Sequence, residues 1–273
     1  CTCLVLACNG FGGNATLVRE HIPEMSDALY FGHTGNQGEA VIWGHALGAK
    51  LADMSGYQGH GSVAHPHGAL ISWALMMEGG IQINTGGERF SNEHDGYSEQ
   101  AERVIRQPDQ TAYAIIDDRI LALAREFPDF RGAEAAGALI SAASIAEMES
   151  RLGVPVGALQ DTLDDVAAYQ SGQQEDSFGR DFTTKPTLTG AIHAIRVTGA
   201  LFHTQGGLDI NLDAEVIDGN GQPIGGLLAA GGAARGVSGP DVSGYLSGNG
   251  LLTAITLGRV AGRRAAILVA ESP

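Results

Sequence analysis

The apolar positions of this 273-residue chain change rhythm along its length. Residues 2–8 form a continuous apolar run, which predicts a buried strand. The glycine-rich stretch Asn9-Gly10-Phe11-Gly12-Gly13-Asn14 follows and predicts a turn, with a helix from Ala15. A second turn, His33-Thr34-Gly35-Asn36-Gln37-Gly38, leads into an amphipathic helix expected over 39–51. Residues 57–79 are rich in Gly and His and hold a short helical stretch. Thr85-Gly86-Gly87 between apolar residues predicts a hairpin. A strand is expected over 112–117 and helices over 133–152 and 156–170. Residues 172–185 read as a polar surface loop. Beyond Pro186 the pattern becomes short strands, with a hairpin at Asn220-Gly221, and a last helix is expected over 250–269. Strand–turn–helix at the start predicts an α/β fold. The more helical middle predicts an inserted α+β domain.

Composition narrows the partners. The formal charge of −15 argues against nucleic acid and anionic membrane surfaces, which need a basic footprint. It does not argue against a phosphate-bearing cofactor, because backbone N–H groups hold phosphates without lysines. No apolar run reaches the about 18 residues that suggest a membrane-spanning helix. Cys1, Cys3 and Cys8 are an odd number in one short segment, so no disulfide framework is expected and a reducing cytoplasm is the default. His65 and His67 have no acidic residue placed beside them, so a structural or substrate-lining role is expected rather than a metal site. Asp117-Asp118 reads as a solvated strand end, and the acidic run at 161–165 as an exposed helix face. The forty glycines mark tight turns and close backbone approaches.

The candidate chemistry lies towards the end of the chain. His203-Thr204-Gln205-Gly206-Gly207 precedes a hairpin, then Ala229-Ala230-Gly231-Gly232, then a glycine loop and a helix opened by Gly248-Asn249-Gly250-Leu251. Backbone N–H groups at such a helix start suit an electron-rich ligand group, although a plain helix cap has the same pattern.

These residues resemble the succinate dehydrogenase/fumarate reductase flavoprotein family, which includes 3-ketosteroid dehydrogenases. The family's His-Thr-x-Gly-Gly, D/N-G hairpin, Ala-Ala-Gly and Gly-Asn/Gly-x-Leu helix start occur here in order. Ala7-Cys8-Asn9-Gly10-Phe11-Gly12-Gly13-Asn14 is similar to its Ala-Thr-Gly-Gly-Phe-Gly-Gly-Asn. Thr34-Gly35-Asn36-Gln37-Gly38 is similar to its Thr-Gly-Asp-Gly, and Arg89-Phe90-Ser91-Asn92-Glu93 to its Arg-Phe-x-Asn-Glu. The resemblance implies FAD as cofactor. It also implies a discontinuous Rossmann-like FAD-binding domain, 1–56 and 201–273, with a substrate-capping domain over 57–200. Cofactor contacts would come from Ala7, Asn9, Gly10, Gly12, Gly35, Gly38, Gly206, Gly231, Gly232, Gly248, Asn249, Gly250 and Leu251.

The departures from the pattern bear on substrate and completeness. No GxGxxG follows a strand, so the part that holds the ADP half of FAD is expected on a missing N-terminal segment or a separate subunit, and the chain reads as a fragment. Cys8, Asn9 and Gly232 stand where the family has Thr, Gly and, often, Glu. The two arginines of fumarate reductases, one a proton donor and one a carboxylate clamp, correspond to Tyr97 and Tyr245. Two tyrosines there resemble 3-ketosteroid dehydrogenases, in which one is the base and the other hydrogen-bonds the ketone. His60 and His203 match substrate-side histidines of fumarate reductases instead. The resemblance thus implies a flavoenzyme acting on a CH–CH bond next to a carbonyl, with Tyr97, Tyr245, His203 and His60 as catalytic candidates. A dicarboxylate reductase or dehydrogenase and an inactive, flavin-free fragment are the alternatives.

Overall fold

A computed structural model describes residues 1–272. The chain forms two compact units, one of Cys1–Gly59 together with residues from Leu201 onward, the other His60–Ala200. Helices and sheets are mixed in both.

The first unit is built on a three-stranded sheet. Leu4–Leu6 runs parallel to Pro223–Ala229, which pairs antiparallel with Glu215–Ile217. The apolar run at the start is thus a strand, though shorter than expected, and its Leu4 and Val5 remain exposed. Helix Ala15–His21 starts where the Asn14 side chain accepts from the amides of Thr16 and Leu17, which satisfies two of the donors a helix start leaves open. Helix Glu39–Ala46 stops well short of Leu51. Gly48, at φ 86°, reverses the chain, and Leu51–Ala52 becomes a strand against Gly207–Leu208. Gly44 lies so close to Leu208 that a side chain there would collide with it. Leu6, Leu208, Val216, Leu227 and Ala229 form a small core. The final helix, Asn249–Glu271, buries Thr253 and Ala261 and leaves Leu251, Leu252 and Ile255 exposed.

The second unit has a larger core around an antiparallel sheet. The sheet order is Ala69–Leu70, Tyr57–Ala64, Ile192–Thr204, Thr111–Asp117, Ile81–Ile83. Leu139–Ala142 also pairs with the long strand Ile192–Thr204. Every residue of Thr111–Asp117 is buried, as a continuous apolar run in a central strand requires.

Three expectations are corrected here. The stretch 133–152 is not one helix. Helix Pro128–Ala135 ends before Gly137, which sits at φ 88°. Leu139–Ala142 is a strand, and the Ser144 hydroxyl caps a new helix, Ile145–Leu152. Asp117 is not a solvated strand end. It is buried, and its carboxylate accepts from the Ile120 amide at 3.0 Å to cap helix Asp118–Ala124. Residues 172–185 do not lie wholly at the surface either. Arg180 and Phe182 are buried, because this loop carries half of an internal ion-pair network.

That network joins Arg89, Glu93, Asp176 and Arg180. Glu93 Oε2 accepts from Arg89 Nη2 at 2.8 Å and Arg180 Nη1 at 3.0 Å. Its Oε1 accepts from Arg89 Nε and the Gln82 amide at 3.0 and 3.1 Å. Arg89 also donates to Asp176 at 2.8 Å. Both guanidiniums lie over the Phe182 ring, at 4.7 and 4.4 Å from its centre. Burial alone raises the Glu93 pKa, but the Arg89 hydrogen bonds and the charges of Arg89 and Arg180 outweigh it and hold the carboxyl below its usual range. Two cations face two carboxylates, so the cluster balances.

Candidate active site

In the first unit the glycine loops surround an open cleft of about 600 Å³. Of the sequence-derived candidates, Ala7, Asn9, His203, Gly231, Gly232, Tyr245, Gly248, Gly250 and Leu251 line it. No arginine, lysine, aspartate or glutamate is among the described residues that line it. The cleft is therefore a glycine-rich slot without charged side chains beside a helix start.

Two sequence departures meet at one point of this wall. Asn9 has φ 67°, and its Oδ1 accepts from the Gly10 amide at 3.0 Å. Asn is one of the few residues that tolerate this left-handed conformation, so it can occupy a turn position that favours glycine. A Cβ at Gly232 would collide with that same Asn9 oxygen. A larger residue at 232 is thus incompatible with Asn9 in its observed position.

The remaining glycine candidates serve packing or backbone geometry. Gly10 abuts the Thr204 hydroxyl, which accepts from the Phe11 amide at 3.2 Å. Gly12 lies on the Tyr30 ring, and Gly206 on the backbone of Asp53 and Met54. Gly38, at φ 82°, opens helix Glu39–Ala46 against Phe11 and Leu17. Gly35 sits beside the His33 ring, whose Nδ1 accepts from the Gly35 amide at 3.0 Å. Asn249 is buried, and its side-chain amide donates to the Ser238 hydroxyl.

His203 and Tyr245 come together edge to face, with ring centres 6.0 Å apart. Burial lowers the His203 pKa, only partly offset by the Thr204 carbonyl, so the imidazole is held towards its neutral form. Gln205 Nε2 stands 2.9 Å from His203 Nδ1. Gln205 was not singled out from the sequence. The available signal was its place as the variable residue of His-Thr-x-Gly-Gly, one residue past the end of strand Ile192–Thr204.

In the second unit, His60 and Tyr97 come together, with ring centres 5.1 Å apart. His60 lies on strand Tyr57–Ala64, and Tyr97 opens helix Tyr97–Ile105 after Gly96. Trp73 closes the group edge-on to His60 at 5.8 Å. Burial lowers the His60 pKa to about 3. Its Nδ1 accepts from the Ser62 amide at 3.1 Å, which leaves the proton on Nε2. His60 is thus a neutral donor at any physiological pH. His65 and His67 are exposed, and no group of three or more His, Cys, Asp or Glu residues suited to a metal ion occurs among the described residues. No helix among them is long and apolar enough to cross a membrane.

The isoalloxazine ring of FAD fits the first unit's cleft on three counts. The walls include six glycines, no side-chain charge opposes the ring, and the start of a long helix lies alongside.

Comparison with known proteins gives the same cofactor. The model of the FAD binding domain matches residues 2–251. An NADH:fumarate oxidoreductase of Klebsiella pneumoniae (strain 342) is 31% identical over 96% of this chain and 28% of its own length. The open conformation of a flavocytochrome c3 fumarate reductase superposes with a TM-score of 0.77 at 28% identity, covering 98% of this chain and 46% of that one. A 3-ketosteroid-Δ4-(5α)-dehydrogenase from Rhodococcus jostii RHA1, in complex with 4-androstene-3,17-dione, gives 0.69 at 28% identity, covering 97% and 53%. The chain thus spans about a quarter to a half of the length of these relatives. With the family model covering nearly all of it, the chain belongs to the FAD-binding domain family of succinate dehydrogenase and fumarate reductase flavoproteins.

Proposed function

We propose that this chain carries the isoalloxazine side of an FAD-dependent oxidoreductase acting on a CH–CH bond next to a carbonyl. The reading rests on the pair Tyr97 and Tyr245, at the positions that the resemblance assigns to the arginines of a dicarboxylate enzyme. A carboxylate clamp needs a guanidinium fork, and a tyrosine offers one neutral O–H. Ala7, Asn9, Gly231, Gly232, Gly248, Gly250 and Leu251 would hold the ring, and Gly10, Gly12, Gly35, Gly38, Gly206 and Asn249 would keep these loops in shape. FAD supplies the hydride acceptor. Tyr97 exchanges the proton on the carbon next to the carbonyl, and Tyr245 donates to an electron-rich oxygen. His60 keeps a proton on Nε2 and acts as a donor. The residues for the ADP half of FAD would come from another segment or subunit, since no GxGxxG follows a strand in this sequence.

A dicarboxylate reductase is the second reading, favoured by His60 and His203, which match substrate-side histidines of fumarate reductases. A substrate screen with FAD and an artificial electron acceptor separates the two. Turnover of cyclic ketones, without turnover of succinate or fumarate, is the expected result. The opposite preference would overturn the first reading in favour of the second.

A further inference from the structure

A chain of polar side chains, buried or half-buried, runs from the start of the final helix to His203. Asn249 Nδ2 donates to the Ser238 hydroxyl. Ser238 Oγ donates to Gln205 Oε1 at 3.3 Å. Gln205 Nε2 stands 2.9 Å from His203 Nδ1. Gln205 and Asn249 are both almost wholly buried, and Ser238 and His203 are half-buried, so an unpaired amide at 205 or 249 is costly.

The chain has a preferred direction. As drawn, each donor faces an acceptor, and the group left over is Asn249 Oδ1, buried without a partner. Reversing every bond would require both amides to flip. Gln205 Oε1 would then accept from His203 Nδ1–H, Gln205 would donate to Ser238, and Ser238 would donate to Asn249 Oδ1. The group left over would be the Asn249 NH₂, a pair of buried donors in place of one acceptor. Orphaned buried N–H groups are rarer in folded proteins than under-satisfied carbonyl oxygens, which implies a higher cost. The observed direction is therefore favoured. In it Nδ1 of His203 accepts from Gln205 at 2.9 Å, which outweighs the longer 3.4 Å approach of the Thr204 carbonyl to the same atom.

We propose that Gln205 and Ser238 are positioning residues that hold His203 as the neutral Nε2–H tautomer. The Nε2 edge of the ring lies beside Gly250, where a Cβ would stand 3.5 Å from Nε2 and Cε1, in the wall of the cleft. His203 accordingly presents a hydrogen-bond donor to its ligand, never a base. The ligand atom that pairs with it is an uncharged or anionic oxygen, such as that of a carbonyl or carboxylate. The titratable side chain facing the ring is Tyr245, and the other influences on the imidazole are burial and the Thr204 carbonyl. The relevance to substrate rests on the proposed function, but the tautomer does not, and the two fail separately.

The test is nuclear magnetic resonance of the purified chain with ¹⁵N-labelled histidine imidazoles, at neutral pH and without flavin. The expected result is one His203 tautomer, Nε2–H, in excess by about fivefold or more, the ratio that one buried hydrogen bond of about 1 kcal/mol sets. In Gln205→Glu the side chain has the same shape but only acceptors. There the preference inverts to Nδ1–H and the imidazole protonates at higher pH. In Ser238→Ala the Gln205 amide is free to turn, and both tautomers appear. A wild-type His203 that is Nδ1–H or doubly protonated at neutral pH would overturn the proposal without any variant. So would a folded Gln205→Glu protein that keeps the Nε2–H form.

Discussion

Replacing Tyr97 by phenylalanine is expected to lower substrate-dependent turnover by about 10²–10⁴-fold, the range that a positioned acid or base contributes. His60, tilted against Tyr97, has a pKa of about 3 and gives its Nδ1 to the Ser62 amide. It has no free lone pair with which to take a proton. Trp73, the third ring of the group, is not an acid or base. Within this cluster the proposed function therefore gives the proton-exchanging role to the phenol of Tyr97. The substitution removes one oxygen and keeps the ring that packs on the second unit's core, so the fold is retained. The measurement is steady-state turnover of the FAD-loaded protein with an artificial acceptor, beside a thermal melt. An unchanged kcat in a folded Tyr97→Phe protein would exclude Tyr97 as the acid or base. The pH profile should also lack any ionisation from His60 near neutrality.

The second large effect is on stability. Glu93→Ala is expected to cost about 3–5 kcal/mol, because it leaves two buried guanidiniums facing one carboxylate. The Gln82 amide would also lose its acceptor, and Arg180 Nη1 would keep only the Gly80 carbonyl. Urea denaturation measures this as a fall in midpoint at constant slope. Acid should narrow the gap between wild type and the isosteric Glu93→Gln. The Glu93 carboxyl is held below its usual value of 4.5. Its contribution is then complete above that usual value and is lost as the pH falls through the depressed one. A gap that widened on acidification, or a cost below about 1 kcal/mol, would contradict the network's role.

The family was legible because its motifs are backbone motifs. His203 to Gly207, Asn220-Gly221 and Gly248 to Leu251 mark a strand end, a hairpin and a helix start, and such local geometry is written in adjacent residues. The mixed fold followed from the same punctuation. What sequence reading missed depends on distant partners. Periodicity alone did not show a strand at Leu139–Ala142, because its apolar residues continue the spacing of the flanking helices. Only its pairing with Ile192–Thr204 distinguishes it. Asp176 and Arg180 lie in a polar stretch, and nothing nearby reveals that their charges meet Arg89 and Glu93, roughly ninety residues earlier. Asn9 and Gly232 each read as a departure, and their compensation appears only where the two touch. Gln205 was visible as the variable residue of its motif, but its partner Ser238 was not, since that contact crosses a hairpin.

The account turns on the first unit's cleft receiving the flavin ring. Titrating FAD into the purified chain, and into Ala254→Trp, tests this most directly. Ala254 lines the cleft from an exposed face of the final helix, so an indole there fills the slot without disturbing the core. The account predicts a saturable shift of the flavin's visible absorbance band with the wild-type chain, and loss of that shift in Ala254→Trp. No saturable shift with the wild type, or an equal one with Ala254→Trp, would contradict it.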